Sequence, residues 1–297
     1  MSASRRSFVI AGTSLLAGCA TSLPKPAPGP APGPAPVVQA SDGVRIAYGL
    51  QGRGETTVVL VHGWCCDRSY WREQVPALAA RHRVLAIDLP GHGASGNNRR
   101  DWSVARFGAD VAAVLAAVGA KNVVLVGHSM GGAVVAEASR RLPSGVRLSA
   151  LVGVDTWRGI GTPPIPEASR QALVAAFTRD FAGTMRRTVT ATMFRPDAPR
   201  ALVDRIANDM ADTEPKVGLA MLGGLFETSW ESALARSKVP VVAINSDLGG
   251  ITEEARARRV VPGFRVVTLT GTGHFLMLEA PARFNAALLA QIDAVAG

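Results

Sequence analysis

Cysteine is scarce, with three in 297 residues: Cys19 near the N-terminus and the adjacent pair Cys65-Cys66. So few cannot form a disulfide framework, and neighbouring cysteines rarely bond because the small ring distorts the peptide between them. No His/Cys/Asp/Glu cluster has the spacing of metal ligands, so no metal site is expected, and Cys65 and Cys66 read as small packing residues. Basic blocks are lacking too. The net charge of +9 comes mostly from scattered arginines, in runs no longer than pairs such as Arg99-Arg100 and without interleaved aromatics, so a nucleic-acid partner is not expected. No phosphate-cradling loop is present, because Gly127–Gly132 holds a serine where G-x-G-x-x-G needs glycine; no cofactor is implied. No internal repeat is visible. The apolar stretch from Val9 to Gly18 is too short to cross a bilayer as a mature helix.

What the N-terminus holds instead is a targeting pattern. Arg5-Arg6 ahead of that weak apolar stretch resembles a twin-arginine export signal, and Leu16-Ala17-Gly18-Cys19 resembles a bacterial lipobox. The expectation is a signal peptide over residues 1–18, cleavage before Cys19 and a lipid on its thiol. Ala20, where aspartate would favour inner-membrane retention, argues mildly for transport onward. Pro24 to Pro36 alternates proline with small residues and predicts an extended tether within residues 19–40, roughly 40 Å long at about 3.1 Å per residue. The protein is therefore expected outside the cytoplasm, held to a membrane by its lipid.

The whole chain is 47% apolar, and the remainder, residues 41–297, is long enough for one large domain. Val44, Ile46 and Tyr48 alternate as an edge strand. Apolar strands are predicted at residues 57–61, 84–87, 123–126, 148–154, 239–244 and 265–269, and helices at 69–80, 104–118, from 133, 255–260 and 282–294. This alternation predicts a mostly parallel, doubly wound α/β sheet. Between about residues 157 and 235 the strands stop. Helical pattern broken by prolines, and rich in Met and Phe, predicts a helical cap inserted into the sheet.

The chemistry gathers around Gly127-His128-Ser129-Met130-Gly131. A strand precedes this stretch and a helix follows, so Ser129 must occupy a sharp turn that lifts its hydroxyl clear of the backbone. Such a turn crowds the positions two before and two after the serine, where Gly127 and Gly131 stand. A serine nucleophile needs a base oriented by a carboxylate. His274, in the small-residue loop after the strand at 265–269, is the histidine best placed to swing over the sheet. Asp247 follows the strand at 239–244 and is the preferred carboxylate; Asp155, after the strand at 148–154, is its competitor, and Asp88 reads as a loop-fixing residue. The backbone N–H groups of Met130, at a helix N-terminus, and Trp64, in the His62-Gly63-Trp64 turn, are the expected oxyanion donors, with His62 a structural hydrogen-bonder.

These residues, with Asp88-Leu89-Pro90-Gly91-His92-Gly93, Asn245-Ser246-Asp247, Gly273-His274-Phe275 and Glu279-Ala280-Pro281, make the segment from about residue 55 onward resemble the α/β-hydrolase superfamily. The resemblance is specific for fold and weak for substrate. It implies a serine hydrolase, most simply a carboxylic-ester hydrolase acting on a small apolar ester. A C–C bond hydrolase of diketone-like acids, using cap arginines 158, 186, 187 and 195, and a ligand-binding protein that retains the triad are the alternatives. Epoxide hydrolases and haloalkane dehalogenases usually carry aspartate where this chain has Ser129.

Overall fold

A computed structural model describes residues 35–226 and 229–295. The export signal, Cys19 and the tether's proline run up to residue 34 lie outside the described residues. Among the described residues eight strands form one sheet: β1 (Val37–Gln39), β2 (Arg45–Gln51), β3 (Thr56–Val61), β4 (Arg83–Ile87), β5 (Asn122–His128), β6 (Arg147–Val154), β7 (Val241–Ser246) and β8 (Arg265–Leu269). Their spatial order is β1-β2-β4-β3-β5-β6-β7-β8. β2 pairs antiparallel with β1 on one side and with β4 on the other, and every other pairing is parallel. Every residue of β3 is buried, as is all of β5 after Asn122, which is what strands covered on both faces require of a Val/Leu-rich run. β1 shows that the chain is already in the sheet at Val37, inside the stretch expected to be tether.

The helices are α1 (Val75–Ala79), α2 (Val104–Ala117), α3 (Met130–Ser139), α4 (Glu167–Arg179), α5 (Phe181–Thr188), α6 (Arg200–Ala211), α7 (Pro215–Gly224), α8 (Ser229–Ala235), α9 (Glu254–Val260), α10 (Leu276–Glu279) and α11 (Pro281–Asp293). The single helix expected over 69–80 is two pieces. A 3-10 turn at Arg68–Trp71 is capped by the Asp67 carboxylate accepting from Ser69 N–H, and α1 starts afresh with Pro76 in its first turn. Between β6 and β7 there is no strand among the described residues: α4 to α7 and a π-helical turn at Val189–Met193 fill the space, and α8 returns to pack on α3. Phe181, Met185, Ile206, Met210 and Met221 are buried, so these helices hold a core of their own, continuous with that of the sheet.

Candidate active site

The turn at Ser129 has the crowding its sequence predicts. Its backbone is at φ 52°, ψ −119°, a left-handed conformation that costs a non-glycine residue about 1–3 kcal/mol and persists only where the surroundings enforce it. Two hydrogen bonds do so: Ser129 N–H donates to the Val154 carbonyl at 3.0 Å, and Gly132 N–H donates to the Ser129 carbonyl at 2.9 Å. A Cβ on Gly127 would stand 2.1 Å from the Gly131 carbonyl oxygen, and one on Gly131 would stand 2.5 Å from that of Val61. Helix α3 begins directly after the serine, three residues earlier than the sequence suggested, because Gly131 and Gly132 are part of its first turn.

His274 is held from three directions. Its Nδ1 donates to Asp155 Oδ2 at 2.6 Å, its backbone N–H donates to the Met193 carbonyl at 2.7 Å, and its carbonyl accepts from His128 Nε2 at 2.9 Å. The carboxylate partner is thus Asp155, and the expectation for Asp247 is corrected. Asp247 instead accepts from Gly271 N–H at 2.9 Å and meets Arg195 at 3.3 Å, bracing the loop that leads to His274. The two aspartates each follow a strand directly, but β6 neighbours β5 whereas β7 lies one strand further out. Asp155 also has φ 45°. Its Oδ1 accepts from Ser246 N–H at 2.8 Å and pairs with the Arg158 guanidinium. Burial alone would raise this carboxyl's pKa, but the His274 bond, the Arg158 charge and the Ser246 amide together hold it well below the ordinary carboxylate value. An arginine three residues after Asp155, with no counterpart after Asp247, is the signal in the sequence that could have ranked them.

The other candidates lie around this centre. The backbone N–H groups of Trp64 and Met130 have no acceptor among the described residues. A Cβ on Gly63 would approach Ser129 Cβ at 3.1 Å, so the turn carrying Trp64 lies against the serine. His62 is structural: its Nδ1–H donates to the Gly63 carbonyl at 2.8 Å and its Nε2 accepts from Leu89 N–H at 3.0 Å. Asp88 fixes its loop, accepting from Arg68 and Ala94 N–H and pairing with the Arg68 guanidinium. Burial pushes the Cys65 thiol up to about 12 and Cys66 well above its ordinary value, which suits inert packing residues.

Ser129 and His274 open into one cavity of about 200 Å³, roofed by Leu173, Phe177, Met210 and Leu222. It is small beside the roughly 300–1,000 Å³ of sites for drug-sized ligands. Trp64 ties this roof to the sheet: its indole Nε1 donates to the Gly218 carbonyl at 3.0 Å, and its ring meets Phe177 edge-on at 5.2 Å. None of the cap arginines lines the cavity among the described residues. Arg158 is spent on Asp155 and Ser246, Arg186 on Asn208, Arg187 on Asp180 and Thr184, and Arg195 on Asp247.

The chain belongs to the alpha/beta hydrolase family, which matches residues 58–287. A dihydrolipoyllysine-residue acetyltransferase component of an acetoin cleaving system from Cupriavidus necator is 30% identical over 259 residues, covering 83% of this chain and 66% of that protein. The chain thus spans just under two thirds of that curated relative. Among solved structures, an esterase from Rhodococcus sp. ECU1013 superposes with a TM-score of 0.72 at 26% identity, covering 88% of this chain and 99% of that one. An esterase from Exiguobacterium antarcticum superposes at 0.76 with 19% identity, over 87% of this chain and 99% of that one, which shows the shared fold.

Proposed function

We propose that this member of the alpha/beta hydrolase family is a carboxylic-ester hydrolase working through an acyl-enzyme on Ser129, with His274 as base and Asp155 as its orienting carboxylate. The observation that carries the reading is the 2.6 Å contact between His274 Nδ1 and Asp155 Oδ2, beside a strained Ser129 that opens into an apolar cavity. Ser129 Oγ attacks the ester carbonyl carbon while His274 takes its proton, and the resulting oxyanion accepts hydrogen bonds from the Met130 and Trp64 amides. Collapse breaks the bond to the alkoxy oxygen, which leaves as the alcohol with the proton from His274. Water, deprotonated by His274, then attacks the acyl carbon, and Ser129 departs with that proton to release the acid.

The cavity's lining and size support a short or medium apolar acyl group. A C–C bond hydrolase would call for a cation to receive the substrate's carboxylate, and the cap arginines are already paired with acidic and polar groups. A fluorophosphonate probe is expected to label the wild type and not Ser129→Ala; labelling that persists in the variant would refute the nucleophile. With p-nitrophenyl esters, kcat/KM is expected to peak near butanoate to hexanoate and fall by decanoate. A rate still rising at dodecanoate would contradict an acyl site limited to this small cavity.

The sequence of the N-terminus supports a second element of the reading, that the enzyme is exported and anchored by a lipid on Cys19. Cys19→Ser should abolish incorporation of radiolabelled palmitate, and an unlipidated wild type would overturn it.

A further inference from the structure

His128 is the residue before the nucleophile, yet its side chain points to the base. Its Nε2 lies 2.9 Å from the His274 carbonyl, so Nε2 carries the hydrogen, and its Nδ1 is buried with no hydrogen-bond partner among the described residues. The two imidazoles lie 4.6 Å apart at 47°, while Phe275 at 5.3 Å and Trp71 at 6.5 Å enclose the His128 ring. A Cβ on Gly63 would come within 2.9 Å of Nδ1, so that side of the ring is filled by the turn bearing Trp64. The ring therefore has one rotamer, one tautomer and one polar duty.

The peptide of His274 is meanwhile suspended. Its N–H is taken by Met193 at the end of the π-helical turn, and its carbonyl by His128. We infer that His128 is a positioning residue for His274, acting through this carbonyl to hold the base in register with both Ser129 and Asp155. The inference rests on the triad proposed above. A donor on strand β5, next to the nucleophile itself, references the base to the serine's own strand, so the two cannot drift independently. The residue must also stay uncharged when His274 becomes a cation. No acceptor waits at Nδ1, and burial, reinforced by His274, lowers its pKa to about 3. The titratable groups facing the pair are Asp155 on the His274 Nδ1 side with Arg158 behind it, Glu279 beneath the loop accepting from Gly273 and Phe275 N–H, and neutral His62 beyond His128.

The test compares His128→Phe, which keeps a ring and loses the donor, with His128→Gln, whose amide N–H reaches the same distance from the backbone as Nε2. Expected for the phenylalanine variant is a 10- to 100-fold fall in kcat, up to the lower end of a general base's contribution of about 10²- to 10⁴-fold, with KM within about threefold. The glutamine variant is expected to recover most of kcat. An activity-independent readout is the low-field proton resonance of the His274–Asp155 bond, identified by its loss in His274→Gln: it should broaden in the phenylalanine variant and persist in the glutamine variant. Wild-type kcat and an unbroadened resonance in His128→Phe would overturn the inference, as would loss in both variants alike. Failure of the fluorophosphonate to label wild-type enzyme would instead strike the triad reading, leaving the resonance to decide the role of His128.

Discussion

Asp155 shows how one side chain is fixed by the groups that need it charged. It stands in left-handed backbone, and its two carboxylate oxygens accept from His274, Ser246 and Arg158. Because its folded pKa is depressed, its stabilising contribution is complete above the ordinary carboxylate value near 3.9 and is lost only as pH falls through the lower folded value. Arg158→Ala should therefore lower kcat by about tenfold through a looser carboxylate while Ser129 still reacts with fluorophosphonate; unchanged kcat would show that the guanidinium is not needed. Gly131→Ala places a methyl 2.5 Å from the Val61 carbonyl oxygen. It should cost more than about 2 kcal/mol in urea unfolding, and a variant as stable as wild type would mean that the turn can open. At this scale the sequence made Ser129, His274 and the flanking glycines legible, since each follows from turn chemistry. It favoured Asp247 over Asp155, the wrong choice, because both follow strands directly and the decision depends on strand order and on backbone φ, neither of which is written locally.

Among elements, the strands were the easiest to read: the predicted 265–269 matches β8, and 148–154 differs from β6 by a single residue. Runs of buried β-branched residues announce themselves in a parallel sheet. The connection at 69–80 was harder, because an Asp67 cap and Pro76 split what reads as one amphipathic stretch. The helices between β6 and β7 were visible as a loss of strand pattern, but their arrangement over Ser129 was not, since irregular helices meet through contacts distant in sequence. Phe177 is the clearest of these: it is buried, lines the cavity and packs on Trp64 of the turn beside the serine. Phe177→Ala is expected to cost about 3–5 kcal/mol if the cavity stays unfilled and to shift the preferred ester toward longer acyl chains. Lower stability with an unchanged chain-length profile would remove Phe177 from the acyl pocket.

The whole molecule carries three fully buried neutral histidines, His62, His92 and His128, each with a pKa depressed mainly by burial, the latter two to about 3. Below the unfolded value near 6.5 the unfolded chain binds protons these sites refuse, so stability must fall with pH from 6.5 toward 3, by up to about 1.4 kcal/mol per unit for each of His92 and His128, with His62 acting in the same direction. Thermal melts should show Tm declining through this window, and His128→Gln should flatten the decline; a Tm independent of pH between 6.5 and 4 would contradict the burial of these rings. The central claim is that Asp155, and not Asp247, completes the triad with Ser129 and His274. The most direct measurement is kcat/KM toward p-nitrophenyl butanoate for Asp155→Asn and Asp247→Asn side by side. The account predicts a loss of about 10³- to 10⁴-fold for Asp155→Asn and of no more than about tenfold for Asp247→Asn, whose side chain only braces a loop; the reverse order would contradict it.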